Sequence, residues 1–416
     1  EPGSYIIFDM NFKYLKLLGP GFAVAATGVG AGDLVAASVA GAKYGTVILW
    51  AAIFGAAIKF ALNEGVSRWQ LATGTTILEG WVSKFHPVVS WYFMVYLVLW
   101  SFIVAAALAS ACGLAGHALY DGLSVPTWAA IHSVIAFFLV YFGRYNFFET
   151  LMKIFIGMMF VTVLACAWMV DPEWSEILPA LVVPSLPDGS AKFLLGVLGG
   201  VGGSVTLLSY GYWIREKGWK GKEFMQATQV DLGTAYLFTG LFAAAMMIVA
   251  AEVSPTLVTG DRMALEVANR IGGLIGTTGK WTFLVGFWGA VFTSMLGVWQ
   301  GVPYLFADFV SMREWKHGAT VVPVSTTSRA YRWYLAYLAF PPLLLLLFGK
   351  PVWIVLTYAI VGAFFMPFLA GMLLWMNNRK SWVGEAKNPW LLNALLLISL
   401  GVFGYLCVVE ITDALK

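Results

Sequence analysis

Apolar runs recur along this chain from residue 14 to residue 409, and the few charged positions fall almost entirely between them. Runs of about 20 apolar residues are what a helix needs to cross a bilayer. Eleven can be counted, at roughly 14–43, 47–69, 88–115, 124–143, 148–170, 193–214, 232–252, 281–307, 331–349, 352–376 and 389–409. The pattern predicts eleven membrane-spanning helices, the first and sixth interrupted by glycines. Most connections are short; 171–192, 253–280 and 308–330 are the long ones. Within the second of these, 261–275 reads DRMALEVANRIGGLI, an amphipathic stretch expected to lie on the membrane surface before the eighth span.

Composition sharpens the reading. The chain has 416 residues, 60% hydrophobic and only 11% charged, with a mean hydropathy of +0.79. Soluble domains carry about 25% charged residues. The spans leave no room for a separate soluble domain, so residues 1–416 are expected to form one transmembrane domain whose main partner is the lipid bilayer. A net charge of +3 does not imply nucleic acid. Cys112, Cys166 and Cys407 all lie inside apolar runs, with neither disulfide nor zinc-type spacing. The N-terminus lacks a basic stretch followed by an apolar core, so a cleaved leader is not expected.

Basic residues set the orientation. With a cytoplasmic N-terminus, seventeen Lys and Arg fall in cytoplasmic connections and seven outside; Lys59, inside a span, completes the 25. The positive-inside rule therefore predicts a multi-pass protein of the cell (inner) membrane, N-terminus inside and C-terminus outside. Tryptophans near span ends, among them Trp91, Trp100, Trp168, Trp281 and Trp375, suggest interfacial belts.

The interruptions carry the candidate chemistry. The first span contains ATGVGAGDLVAAS, with Gly28, Gly30 and Gly32 before Asp33. The sixth contains GVLGGVGGSVTLLSYGY, with Gly199, Gly200, Gly202 and Gly203 before Ser204, Thr206 and Ser209. Five spans separate their starts, so the two helices enter from opposite sides. That is the mark of a five-plus-five inverted repeat: 14–170 and 193–376 as the halves, and 389–409 as an added helix. Unwound backbone at mid-depth is tolerated only when buried in protein or lining a wet cavity. Two facing breaks would make a polar site. Glycines can also serve simply to let helices pack closely.

An isolated carboxylate at mid-membrane costs roughly 2.5–3.5 kcal/mol, so Asp33 needs a partner or a task. It could meet a substrate or coupling ion, or cap a half-helix starting at Leu34. Lys59, near the middle of the second span, could neutralise Asp33, act as a fixed charge in place of a bound ion, or bind carbonyls freed at a helix break. Glu64 with Arg68, and Glu149 with Lys153, have the i,i+4 spacing of structural ion pairs.

Several stretches resemble the natural-resistance-associated macrophage protein (Nramp) family of metal transporters. They are GPGFAV and VAGAKYG at the first span, then YGTVILW and SRWQLATGTTILEG around the second. RYNFFETLMKIFIG at the fifth, FTSMLGVWQGVPYLFADFV at the eighth and FMPFLAGMLLW at the tenth complete the set. The resemblance implies an all-α membrane protein of the LeuT type, with helices 1 and 6 broken. It also marks departures. Where the family has Asp-Pro-Gly-Asn, this chain has Gly30-Ala31-Gly32-Asp33. Where it has Met-Pro-His, the aligned residues are Thr206, Leu207 and Leu208. A glutamine of the tenth helix aligns with Ala359, and a third-helix glutamate with Ala106.

The expected function is secondary transport by alternating access, with no resident cofactor. The substrate-binding set is Asp33, Gly30, Thr206, Ser209, Gly203 and Tyr210, with Lys59 as coupling group or charge partner. Asp33 and Thr206 would be the metal ligands. An all-oxygen set without a thioether suits a hard divalent ion such as magnesium or manganese. A small organic solute or cation, with Tyr210, Tyr212 and Trp213 offering ring faces, is the alternative. A non-transporting sensor or channel is a third reading. An enzyme is not expected, because His86, His117, His132 and His317 are scattered.

Overall fold

The computed structural model describes residues 19–143, 145–170, 172–251, 263–316 and 324–414. Those residues form helices joined by short turns, with no strand among them. The first span is α1 (Pro20–Gly28), a π-helical turn (Ala31–Ala36) and α2 (Ala37–Tyr44). Next come α3 (Trp50–Thr73), a short α4 (Ile77–Lys84), α5 (Pro87–Leu119), α6 (Val125–Phe142), α7 (Tyr145–Met169) and α8 (Trp174–Ala180). The sixth span is α9 (Ala191–Gly200), a 3₁₀ turn (Val205–Leu208) and α10 (Ser209–Glu216). Then follow α11 (Met225–Ala251), α12 (Met263–Lys316), α13 (Arg329–Ala339), α14 (Pro351–Ala363), α15 (Phe365–Asn377), α16 (Lys380–Val383) and α17 (Trp390–Ala414).

Local signals explain many ends. Pro20, Pro87 and Pro351 open their helices, where the missing N–H costs nothing. Thr76 and Glu79 form a reciprocal capping box on α4. Pro341 and Pro342 end α13, and the ninth span finishes as a 3₁₀ turn, Pro341–Phe348. The tenth span, expected to be continuous, is interrupted at Phe364 between α14 and α15.

The long helix α12 changes direction at Gly276, which has φ 80°. The part before it matches the predicted amphipathic stretch from residue 263 on; residues 261 and 262 lie outside the described set. Ala264, Val267, Ala268 and Ile271 make its buried face.

Among the described residues, eight helical segments are long and apolar enough to cross a membrane, or nine if the bent pair of α2 and α3 counts as one span. Helices α2 and α3 meet at a sharp bend of 105°. Polarity is inverted relative to a soluble protein. Trp333, Phe142, Trp390 and Leu347 are at least 74% exposed, whereas Lys59, Glu64, Asp231 and Asp308 are at most 3% exposed. An apolar outer face suits lipid. Trp91, Trp168, Trp281 and Trp375 are exposed as interfacial residues should be, but Trp100 is fully buried against Tyr358, so it belongs to the core. All three cysteines are buried and free.

The two broken spans lie inside the bundle. Helix α1 packs on α11 and α12, and α9 on α14 and α3. Helix α17 packs on α15 and keeps most of its surface outward, as an added helix would.

Candidate functional site

The two breaks touch. A β-carbon placed on Gly28 would lie 2.5 Å from the α-carbon of Gly202. Any side chain at position 28 would hold the two backbones apart. Gly202 and Gly203 take φ values of 69° and 83°, in the left-handed region, which ends α9 abruptly.

The breaks are satisfied differently. In the first, the Gly30 N–H donates to the Gly28 carbonyl, and Leu34 N–H to the Gly30 carbonyl at 2.9 Å. The chain widens into the π turn and resumes as α2. π turns of this sort gather at functional sites. Asp33 is the third residue of the turn, which starts after Gly30, so the half-helix begins at Ala31 rather than at the expected Leu34. The Asp33 side chain lies outside the described residues. Ser294 of α12 closes over Gly30: its hydroxyl donates to the Thr27 carbonyl at 2.7 Å, and a β-carbon on Gly30 would fall 2.2 Å from that of Ser294. The volume a side chain would need at position 30 is therefore filled.

In the sixth break the carbonyls stay open, and Lys59 of α3 fills them. Its ammonium donates to the carbonyls of Gly199 at 2.9 Å, Val201 at 3.2 Å and Gly203. Of the roles considered for Lys59, binding to carbonyls freed by a break is the one these contacts display. A buried ammonium is tolerable only with such acceptors. Thr206 sits in the 3₁₀ turn with its hydroxyl over Gly203. The Ser204 hydroxyl and the Trp100 indole N–H are both buried against Gly362 of α14, and neither has a hydrogen-bond partner among the described residues.

Gly30, Gly203, Thr206 and Lys59 thus gather around the breaks. Two expected residues make their contacts elsewhere. The Ser209 hydroxyl faces Gly301, two turns along α12 from Ser294. The Tyr210 hydroxyl donates to Asp231 at 2.9 Å. Asp231 is a buried acid that the sequence reading passed over. It also accepts from the N–H groups of Gly19 at 3.0 Å and Gly21 at 2.6 Å, capping the start of α1. Asp308 is another, taking hydrogen bonds from Thr76 at 2.9 Å and Tyr212 at 2.5 Å. Both acids lie one residue beyond an apolar run, where counting hydrophobic positions stops.

Arg68 pairs with Glu64, which also accepts from Gln229 at 3.0 Å, while Arg68 reaches the carbonyl of Lys387 at 3.2 Å. The Glu149 and Lys153 side chains lie outside the described residues. His132 is held between the Trp128 carbonyl and the Trp288 indole N–H, which fixes it as neutral with Nδ1 protonated. His86 and His117 lie apart from it, near their own helix ends, and His317 is outside the described residues. Among the described residues no three His, Cys, Asp or Glu side chains could jointly hold a metal.

Paired, crossed helix breaks inside an inverted-repeat bundle define the LeuT-type class of membrane proteins. A family model described as natural resistance-associated macrophage protein-like matches residues 21–413. The chain belongs to that family. It is 28% identical over 250 residues to the divalent metal cation transporter MntH of Klebsiella pneumoniae, covering 57% of this chain and 58% of the relative. It is 25% identical over 296 residues to MntH of Caldanaerobacter subterraneus, covering 68% and 69%. Matched regions thus span little more than half the length of the Klebsiella relative. A mutant of the Eremococcus coleocola manganese transporter has a similar fold, with a TM-score of 0.77 at 12% identity, covering 99% of this chain and 90% of that one. MhsT in complex with L-phenylalanine is a more distant likeness, with a TM-score of 0.55 at 16% identity, covering 92% and 98%.

Proposed function

We propose that this chain is a secondary transporter that moves a hard divalent metal ion, magnesium or manganese, by alternating access. The observation that carries the reading is the contact of the two broken helices at Gly28 and Gly202, in a member of the Nramp family. Its MntH relatives, named as divalent metal cation transporters, support the substrate class. Asp33 would supply the charge, and Thr206 and the backbone at Gly30 the oxygens. Gly203 would shape the wall of the site. Lys59 already holds the Gly203 carbonyl, so the ion would keep part of its water shell, as magnesium readily does. Thr206, Leu207 and Leu208 offer no thioether or imidazole, which argues against a soft ion.

The chain would act as one transmembrane domain, with halves 14–170 and 193–376 and an added helix at 389–409. It would sit in the cell membrane with its N-terminus cytoplasmic and its C-terminus outside, as the basic residues suggest. One observation favours the organic-solute alternative. The Lys59 ammonium is a fixed positive charge at the break, and it opposes a second cation nearby.

Calorimetric titration of the purified protein with manganese, magnesium and calcium separates the two. The metal reading expects saturable binding of manganese or magnesium that is lost in Asp33→Ala. No heat with any of the three would discard it in favour of the organic solute.

A further inference from the structure

Lys59 sits in the middle of α3 with none of its surface exposed. Its ammonium converges on three carbonyls at one place: Gly199 in the last turn of α9, Val201 just past its end, and Gly203 within the break. The end of a helix leaves carbonyls without intrahelical donors, and the macrodipole makes that end negative. Convergent backbone carbonyls of this kind are what proteins use to replace the water shell of a monovalent cation. Without the lysine, the same three oxygens would form a cation site.

We propose that Lys59 is a tethered cation. Its ammonium permanently occupies a monovalent-cation site at the sixth break, so the transport cycle needs no free sodium or potassium there. The second clause rests on the transporter reading; the first does not. The shape of the group matters. A tetrahedral ammonium directs three N–H bonds toward three acceptors from one point, whereas a planar guanidinium spreads its donors as a fork.

The test is chemical rescue. Lys59→Ala removes the tether and leaves room for a small cation. The purified variant is unfolded thermally in detergent, with choline chloride replaced at constant ionic strength by methylammonium chloride, potassium chloride or tetramethylammonium chloride. Lys59→Ala is expected to start with a lower midpoint than wild type. Its midpoint should rise with the logarithm of methylammonium concentration, as specific binding to the folded state requires. Tetramethylammonium, which has no N–H, should give no rise, and wild type should respond to none of them. Lys59→Met fills the volume without charge, and its lowered midpoint should not recover. A Lys59→Ala midpoint equal to wild type, or one indifferent to methylammonium, overturns the proposal. So does recovery of Lys59→Met.

The second arm uses wild type. Manganese uptake into proteoliposomes should agree within about twofold across sodium, potassium and choline, whereas a coupled cation would change it about fivefold or more. A sodium or potassium requirement overturns the uncoupled cycle. If wild type takes up nothing in any salt, the transporter reading fails instead, and the rescue result still decides the cation site.

Discussion

The two breaks occupy matching positions in the two halves, yet they solve the same problem in different ways. At the first break the chain passes through a π turn, and the Ser294 hydroxyl of α12 donates to the Thr27 carbonyl while packing over Gly30. At the sixth, consecutive left-handed glycines leave carbonyls open, and a lysine from another helix satisfies them. The first break thus takes a neutral hydroxyl from a neighbouring helix, and the second takes a charge. The difference teaches that a repeated architecture need not carry repeated chemistry. The donor lent to freed carbonyls can be neutral on one side and charged on the other.

This contrast predicts an order of sensitivity. Lys59→Met should be the most damaging change, because it strands three buried carbonyls. A loss of about 3 kcal/mol or more, at about 1–3 kcal/mol for each stranded acceptor, should appear in denaturant or thermal unfolding. Gly202→Ala strikes the left-handed backbone of the sixth break. The new β-carbon would sit 2.4 Å from the Tyr236 ring at a φ of 69°, and a loss of about 2–3 kcal/mol is expected by the same assay. Asp231→Ala uncaps α1, the half-helix leading into the first break, and should cost about 1–2 kcal/mol. Faster proteolysis near residue 19 would be its independent sign. Ser294→Ala removes one neutral hydrogen bond from the first break and should cost about 1 kcal/mol. A Ser294→Ala effect as large as that of Lys59→Met would erase the proposed asymmetry.

Much of the fold was legible beforehand, for a physical reason. A bilayer forces each crossing to be a long apolar helix, so the spans announce themselves. The glycine clusters at 28–32 and 199–203 marked the breaks because few other residues permit such backbone. What could not be read was which group meets which. Lys59 was visible as a buried charge, but its three acceptors belong to a helix 140 residues away in sequence. Ser209 and Tyr210 follow the break directly in sequence, yet a helix turns about 100° per residue, and they point to Gly301 and Asp231 instead. Asp231 and Asp308 were missed because α11 begins before its apolar run and α12 continues beyond the end of its own. Trp100 near a span end looked interfacial, whereas it lies in the core beside the sixth break.

Uptake of manganese and magnesium into proteoliposomes by wild type and Asp33→Ala, each monodisperse before reconstitution, tests the central claim most directly. Saturable wild-type uptake of one of these ions, reduced to background in Asp33→Ala, is the predicted result. No wild-type uptake of either ion, or undiminished uptake by the variant, would contradict a metal path through the paired breaks.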